Sequence, residues 1–386
     1  MSTPNQWRAL TLLSIAELFG MALWFSGSAV VPALSREWNL SSSQVSWLAN
    51  AVQFGFVAGT LLSATLNLAD IITTRHLFAI CALLGALTNA FFGLYAHDPQ
   101  TASVLRFLTG VCLAGVYPPG MKLMATWFRG RRGMALGVLV GALTLGKATP
   151  YLVNAIGSSN WRLNVLFVSD GPHALPPASF DLTQIVKVFK NRGVRLASFG
   201  YFGHMWELYA MWIWIPVLIR ASVTAQSRNP IFAEIGSFLV IGAGAIGCVV
   251  AGLVADRVGR TVVTSWAMAI SGSCCLLVGF FYGGSVLPLL LLAVIWGASV
   301  VADSAQFSSC VTELGDPQYV GTALTLQMCI GFLLTTISIE LIPKVVDLVT
   351  WRYAFIILAP GPLLGVLAML RLRSLPESLK IAHGRR

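Results

Sequence analysis

The stretch Gly252-Leu253-Val254-Ala255-Asp256-Arg257-Val258-Gly259-Arg260 lies between two long apolar runs. Residues 231–255 before it carry a single charge, Glu234, and residues 261–283 after it carry none. About 20 apolar residues cross the hydrocarbon core as a helix, so the stretch reads as a tight turn between two membrane helices. Its glycines let helix ends approach closely. Asp256 is of the type that accepts from a neighbouring helix N-terminus. Arg257 and Arg260 hold the turn at the cytoplasmic face.

The whole chain has the same character. Of 386 residues, 56% are hydrophobic and 10% charged, with a mean hydropathy of +0.76. A soluble chain carries about 25% charged residues. The formal charge of +10 does not mark a nucleic-acid binder. Its basic residues stand in short runs between apolar segments, where they orient helices and meet anionic lipid. The seven cysteines all fall inside apolar segments, their number is odd, and none has metal-type spacing. They read as small core residues. The first apolar run contains Glu17 and reads as a membrane helix rather than a leader.

Spans are expected at 9–33, 43–66, 77–96, 101–127 and 133–157, and at 195–219, 231–255, 261–283, 286–308, 321–343 and 353–370. Between the groups, residues 158–192 are mostly polar, with Asp170-Gly171-Pro172-His173 and Pro176-Pro177. Within them, residues 181–190 put Leu182, Ile185, Val186 and Phe189 on one face, as a short interfacial helix would. The expected organisation is a five-span bundle (1–160), a polar linker (161–193), a six-span bundle (194–372) and a cytoplasmic tail (373–386).

The halves repeat. Asp70 and Asp256 are 186 residues apart, Gly133 and Gly321 are 188 apart, and Trp161-Arg162 and Trp351-Arg352 are 190 apart. After Trp351-Arg352 come 18 uncharged residues, but after Trp161-Arg162 only seven, Leu163 to Ser169. The first copy thus lacks its sixth helix, as an in-frame loss near Leu163–Val168 would produce. Charge bears on the consequence. With twelve crossings and a cytoplasmic N-terminus, 17 Lys and Arg face inside and 6 outside; with eleven, the second half inverts and 10 face inside against 13 outside. The positive-inside rule favours the former. The second half is expected to keep the orientation of a twelve-helix ancestor.

The turn at 252–260 resembles the G-x-L-A-D-R-x-G-R signature of the major facilitator superfamily. The first copy is degenerate, with Leu66, Ile71 and Thr73 at three signature positions while Asp70 and Arg75 remain. Arg106-x-x-x-Gly110, then Gly115 and Tyr117-Pro118-Pro119, resembles the fourth-helix motif of the same family. The resemblance covers the chain except residues 163–169. It implies an all-α, two-bundle membrane fold with about eleven helices (5 + 6) and a gating cluster of Asp70, Arg75, Gly252, Asp256, Arg257, Gly259 and Arg260. It also implies a cavity lined by the first, fourth, seventh and tenth-type helices, on which Glu17, Arg106, His204, Glu207 and Asp303 fall.

Two motifs mislead. Gly141 to Ala148 is one residue short of a phosphate-binding loop, with Ala148 where Ser or Thr is needed and no preceding strand. Gly242-Ala243-Gly244-Ala245-Ile246-Gly247 fits G-x-G-x-x-G but lies within an apolar helix, where close packing explains it.

Ionisable or amide residues within spans are functional candidates: Glu17, Arg106, Lys147, His204, Glu207, Asp303, Gln306 and Gln327, with Trp206 beside them. Glu17, Glu207, Asp303 and His204 are of the type that carries a proton; interhelical pairing is the alternative. Lys147 suits either an anionic substrate or Glu17 as partner. Arg106 faces a wet cavity or carboxylate, or snorkels to the interface. Trp24, Phe25, Trp206, Trp212 and Trp214 line a cavity or anchor at the interface. Together these point to a secondary transporter of a small polar or ionic solute in the cell (inner or plasma) membrane, working by alternating access, with proton coupling left open. The competing reading is a non-transporting receptor, scaffold or inactive product on the same fold. Expected partners are the solute, a proton and the bilayer, with no nucleic acid, cofactor or metal. No HExxH or GxSxG motif supports an enzyme.

Overall fold

The computed structural model describes residues 4–66, 68, 72–128, 131–156, 190–227, 229–316 and 320–385. Its first half contains α1 (Pro4–Trp38), α2 (Ser42–Thr65), α3 (Thr74–Tyr95), α4 (Pro99–Leu113), α5 (Tyr117–Trp127) and α6 (Arg132–Ile156). Its second half contains α7 (Arg192–Ala225), α8 (Ile231–Val258), α9 (Arg260–Leu277), α10 (Val286–Val300), α11 (Ser304–Leu314), α12 (Val320–Ala354) and α13 (Pro360–Arg373). No strand occurs among the described residues.

Local chemistry sets the ends. Asp98 caps α4 by accepting from the Thr101 amide at 2.8 Å and its hydroxyl at 2.7 Å. Those bonds hold the Asp98 carboxyl below its ordinary range. Asn191 caps α7 through the Val194 amide. Gly259, at φ 102°, turns the chain from α8 directly into α9, a conformation that a side chain would strain.

Ten helical segments among the described residues are long and apolar enough to cross a membrane. The last, Ala323–Arg373, has 51 residues, far more than one crossing needs. Thr350, at φ 60°, breaks it, so it holds two crossings. The surface, unlike that of a soluble protein, is as apolar as the interior. Ile246 is 69% exposed and Leu287 66%, whereas Lys147 is 1% exposed. The outer leucines and isoleucines face lipid.

The crossings expected at 101–127 and 286–308 are each broken. One break separates α4 from α5 at 114–116, the other α10 from α11 at 301–303. Pro118 and Pro119 account for the first, since neither offers an amide to continue the ladder. The second has no proline. The halves after each break start at Tyr117 and Ser304, matching the offset of the sequence repeat.

Within the first half α1 packs on α6, and α4 on α2 and α3; within the second, α7 packs on α12 and α13, α8 on α10, and α9 on α13. Across the halves, α6 lies along α8 and α2 along α12. The α6–α8 seam is built from small residues. A Cβ at Gly137 would stand 2.6 Å from the Cys248 carbonyl, and one at Gly141 2.9 Å from that of Ala245. Paired small residues let the backbones touch, the packing device of membrane helices.

Both halves present their arginine-rich turns to one face. The Met134 amide at the start of α6 donates to Asp256 at 3.0 Å. Arg260 reaches Glu313 at the end of α11, and Asn191 at the start of α7 donates to Leu314 at 3.0 Å. Since α6 has 25 residues and each rises about 1.5 Å, Ile156 and Arg192 stand at opposite faces. Asp70, the missing sixth helix near 163–169 and the interfacial segment 181–190 (Lys190 excepted) lie outside the described residues.

The expected tail is not free. Pro376–Gly384 forms a 3-10 helix with Ser378 and Ile381 buried. The Ala382 amide donates to Glu313 at 3.0 Å and Arg385 to the Asp256 carbonyl at 2.6 Å. The Asp256 carbonyl of the turn and the Glu313 carboxylate at the end of α11 hold it.

Candidate functional site

A narrow cleft of about 20 Å³, room for about one water molecule, lies between the halves. Tyr117 and Lys147 line it from the first half, and Tyr201, Tyr209, Trp212 and Ser304 from the second. Tyr117 and Ser304 are the first residues of α5 and α11. The two helix breaks therefore adjoin the cleft.

Lys147 reaches the cleft because α6 presses against α1 at Gly146, which has the Leu18 carbonyl in the space of a side chain. The Lys147 ammonium donates to the Tyr209 hydroxyl at 2.6 Å. It lies 4.7 Å from the ring centre of Trp24, 5.7 Å from Phe25, 4.4 Å from Tyr209 and 4.6 Å from Trp212. Aromatic faces attract a cation where water is excluded. The indole N–H groups of Trp24 and Trp212 are buried with no acceptor among the described residues. A buried donor left unpaired costs stability, so this cage is deficient in acceptors.

Glu17 stands behind this wall, fully buried beside Gly120 of α5. Neither of its oxygens has a hydrogen-bond partner among the described residues. No ion pair or hydrogen bond joins it to Lys147 among the described residues.

The other expected residues are distributed among three places. His204 Nδ1 lies 2.8 Å from Asp303 Oδ1, both 1% exposed, in a contact whose alignment falls short of a hydrogen bond. The His204 Nε2 atom has no partner among the described residues. Glu207 accepts from Ser271 at 2.9 Å, Cys275 at 3.0 Å and Trp296 at 2.5 Å, which ties α7 to α9 and α10. None of His204, Glu207 and Asp303 lines the cleft itself. Trp206 donates to the Ile357 carbonyl at 3.1 Å and braces the segment before α13. Gln327 is buried with both amide atoms unpartnered among the described residues.

Arg106 was expected at a wet cavity, a carboxylate or the interface. The structure buries it to 1% exposure. It donates to the carbonyls of Leu23, at 2.9 Å, and Trp24, and to Asn89 at 3.1 Å. Backbone dipoles of α1 take the place of a counter-ion, and the fork of the guanidinium suits two adjacent carbonyls.

The gating residues converge at the arginine-rich face. Asp256 caps α6, Gly252 lies against the Gly133 carbonyl, and Gly259 makes the turn. Arg260 is buried between Glu313, at 3.0 and 2.8 Å, and Gln306, at 2.7 Å, with Asp256 at 3.7 Å. Gln306 thus belongs to this latch. Arg257 and Arg75 are exposed. Sequence reasoning missed Glu313, Asn89, Ser271, Cys275 and Trp296. Glu313 is 53 residues from Arg260, and no linear spacing pairs them.

Two helical halves clothed in exposed leucine, with ten segments among the described residues able to cross a membrane, make this a multi-pass membrane protein. The chain belongs to the major facilitator superfamily, whose family model matches residues 12–339. It is 30% identical over 160 residues to puromycin resistance protein pur8 of Streptomyces alboniger, a match covering 39% of this chain and 31% of that protein. It is 24% identical over 262 residues to MFS-type transporter pytF of Aspergillus terreus (strain NIH 2624 / FGSC A1156), covering 63% and 83%. It is 24% identical over 326 residues to a gallate transporter of Pseudomonas putida, covering 71% of each.

Proposed function

We propose that this chain is a secondary transporter that moves a small organic anion by alternating access, with Lys147 as the ligand for its negative group. The observation that carries this reading is the caged ammonium of Lys147 lining the cleft, among rings that include Trp24 and Trp212, whose indole N–H groups lack acceptors among the described residues. A carboxylate entering there, as the cleft opens, would meet the cation beside Tyr209 and Trp212. Flat aromatic walls suit a planar substrate. The similarity to a protein named as a gallate transporter agrees with an aromatic acid.

The 1–160 and 194–372 bundles would rock about the cleft. The latch around Asp256 and Arg260 would form and break with each cycle, and the breaks at 114–116 and 301–303 would be the points of bending. His204, Asp303 and Glu207 would hold the wall of the second bundle, and Arg106 that of the first. Uptake of gallate and benzoate by purified protein in proteoliposomes tests the reading. Wild type should accumulate one of them, and Lys147→Met should lower uptake by about tenfold or more, a loss of about 1.4 kcal/mol or more in binding. Unchanged uptake by Lys147→Met would remove the lysine from the site. Binding without flux would favour a receptor.

A further inference from the structure

We propose that the Tyr209 hydroxyl stands in for the substrate carboxylate: it takes Lys147 when the two halves close without an anion, which lets the unloaded carrier return and makes the protein a net transporter rather than an obligatory exchanger. The inference rests on the anion reading given above. It starts from one contact. The Lys147 ammonium, on α6 of the first half, donates at 2.6 Å to the Tyr209 hydroxyl, on α7 of the second. The bond is buried and crosses between the bundles.

The cage around this bond is shared in the same way. Trp24 and Phe25 come from α1, Tyr209 and Trp212 from α7. Rings of one half meet rings of the other, Trp24 and Tyr209 at 5.6 Å between centres and Phe25 and Trp212 at 5.8 Å. Neither half alone encloses the ammonium. The halves are also joined on either side of it. Asp256 holds the Met134 amide at the arginine-rich face. The Asn50 side chain of α2 donates to the Thr336 carbonyl of α12 at 3.3 Å. That carbonyl is about 24 Å along α12 from Val320, toward the opposite face. The space left between the two joints, about 20 Å³, is too small for an organic anion.

This closure gives Tyr209 its role. An ammonium shut into a low-dielectric site with no oxygen to accept from it is costly. Aromatic faces offset part of that cost, and the tyrosine oxygen supplies the acceptor. The halves can therefore close over Lys147 with no substrate aboard, and the unloaded carrier passes through this form on its way back. A carboxylate carries a full negative charge and is the stronger acceptor. An entering anion displaces the hydroxyl and takes the lysine, with no proton, electron or covalent bond exchanged. A carboxylate side chain at position 209 would hold the lysine against the substrate, whereas a neutral hydroxyl yields it.

The test separates net flow from exchange. It uses the purified full chain in proteoliposomes loaded with labelled gallate or benzoate, whichever wild type takes up, with rates taken per folded protein. Release into medium free of the anion requires the unloaded carrier to return. Release against the same unlabelled anion outside does not. Wild type should do both. Tyr209→Phe keeps the ring and loses the oxygen. It should slow release into anion-free medium by about tenfold or more and keep exchange near the wild-type rate. It should also bind the anion more tightly, read by tryptophan fluorescence, because nothing competes for the lysine. A merely structural tyrosine would lower both modes together and would not tighten binding, and that result would overturn the proposal. Wild type that exchanges the anion but releases none into anion-free medium would overturn it without any variant, and would leave the anion site standing. Wild type that does neither removes the anion site, and this role of Tyr209 with it.

Discussion

The carboxylate of Asp256 accepts from the backbone amide of Met134 at 3.0 Å, joining the end of a helix in the second half to the start of one in the first. A helix N-terminus leaves its first amides without partners, and here the other half supplies the acceptor. The same aspartate lies 3.7 Å from Arg260, whose remaining donors go to Glu313 and Gln306. The turn is thus both a cap and a clamp between bundles.

The two carboxylates of this latch should differ in weight. Glu313→Ala leaves a buried guanidinium without its bidentate partner and should cost about 3 kcal/mol. Asp256→Ala removes a cap and should cost about 1 kcal/mol. Thermal unfolding in detergent should rank Glu313→Ala below Asp256→Ala, and both below wild type. Deleting residues 376–386 should fall between them, because it removes the Ala382 and Arg385 bonds to the same cluster. The reverse order for the two point variants would mean that Arg260 is held by something else.

The α6–α8 seam leaves no room for larger side chains. Gly137→Leu should reduce uptake by about tenfold or more, since the Cys248 carbonyl occupies the space of its first carbon. Gly93→Ala is the control, because a Cβ there meets nothing within 4 Å. Equal uptake by the two variants would show that the halves do not need this close approach.

Arg106→Lys keeps the charge but loses the planar fork that bonds Leu23, Trp24 and Asn89. It should destabilise the protein by about 2 kcal/mol. Uptake should fall in proportion to folded protein, with the apparent affinity for substrate unchanged. A weakened affinity at full folding would place the arginine at the substrate instead.

Asn191 and Arg257 belong to one face, by way of Leu314, Glu313 and Arg260. Single cysteines at positions 191 and 257, in a background freed of native cysteines, should be labelled from the same side of sealed vesicles by an impermeant reagent. Opposite-side labelling would mean that the second half inserts inverted.

The sequence by itself determined the membrane class, the span positions and the repeat. Each depends on local composition, and lipid tolerates only helices that satisfy their own backbone. It also supplied the turn at 252–260, whose glycines and charges carry their physical logic in order along the chain. It singled out Lys147 and Glu17, because any charge inside a span is conspicuous. What it left undecided was which buried charges meet. Only tertiary packing directed Arg106 to the carbonyls of α1, gave Glu207 its three donors, moved Gln306 into the latch and brought the tail onto Asp256. The broken tenth-type helix was likewise invisible, since nothing at 301–303 marks it as Pro118 and Pro119 mark the fourth. The physical reason is range. Helix formation and insertion depend on neighbours in sequence, whereas the partner of a buried charge is set by how separate helices pack.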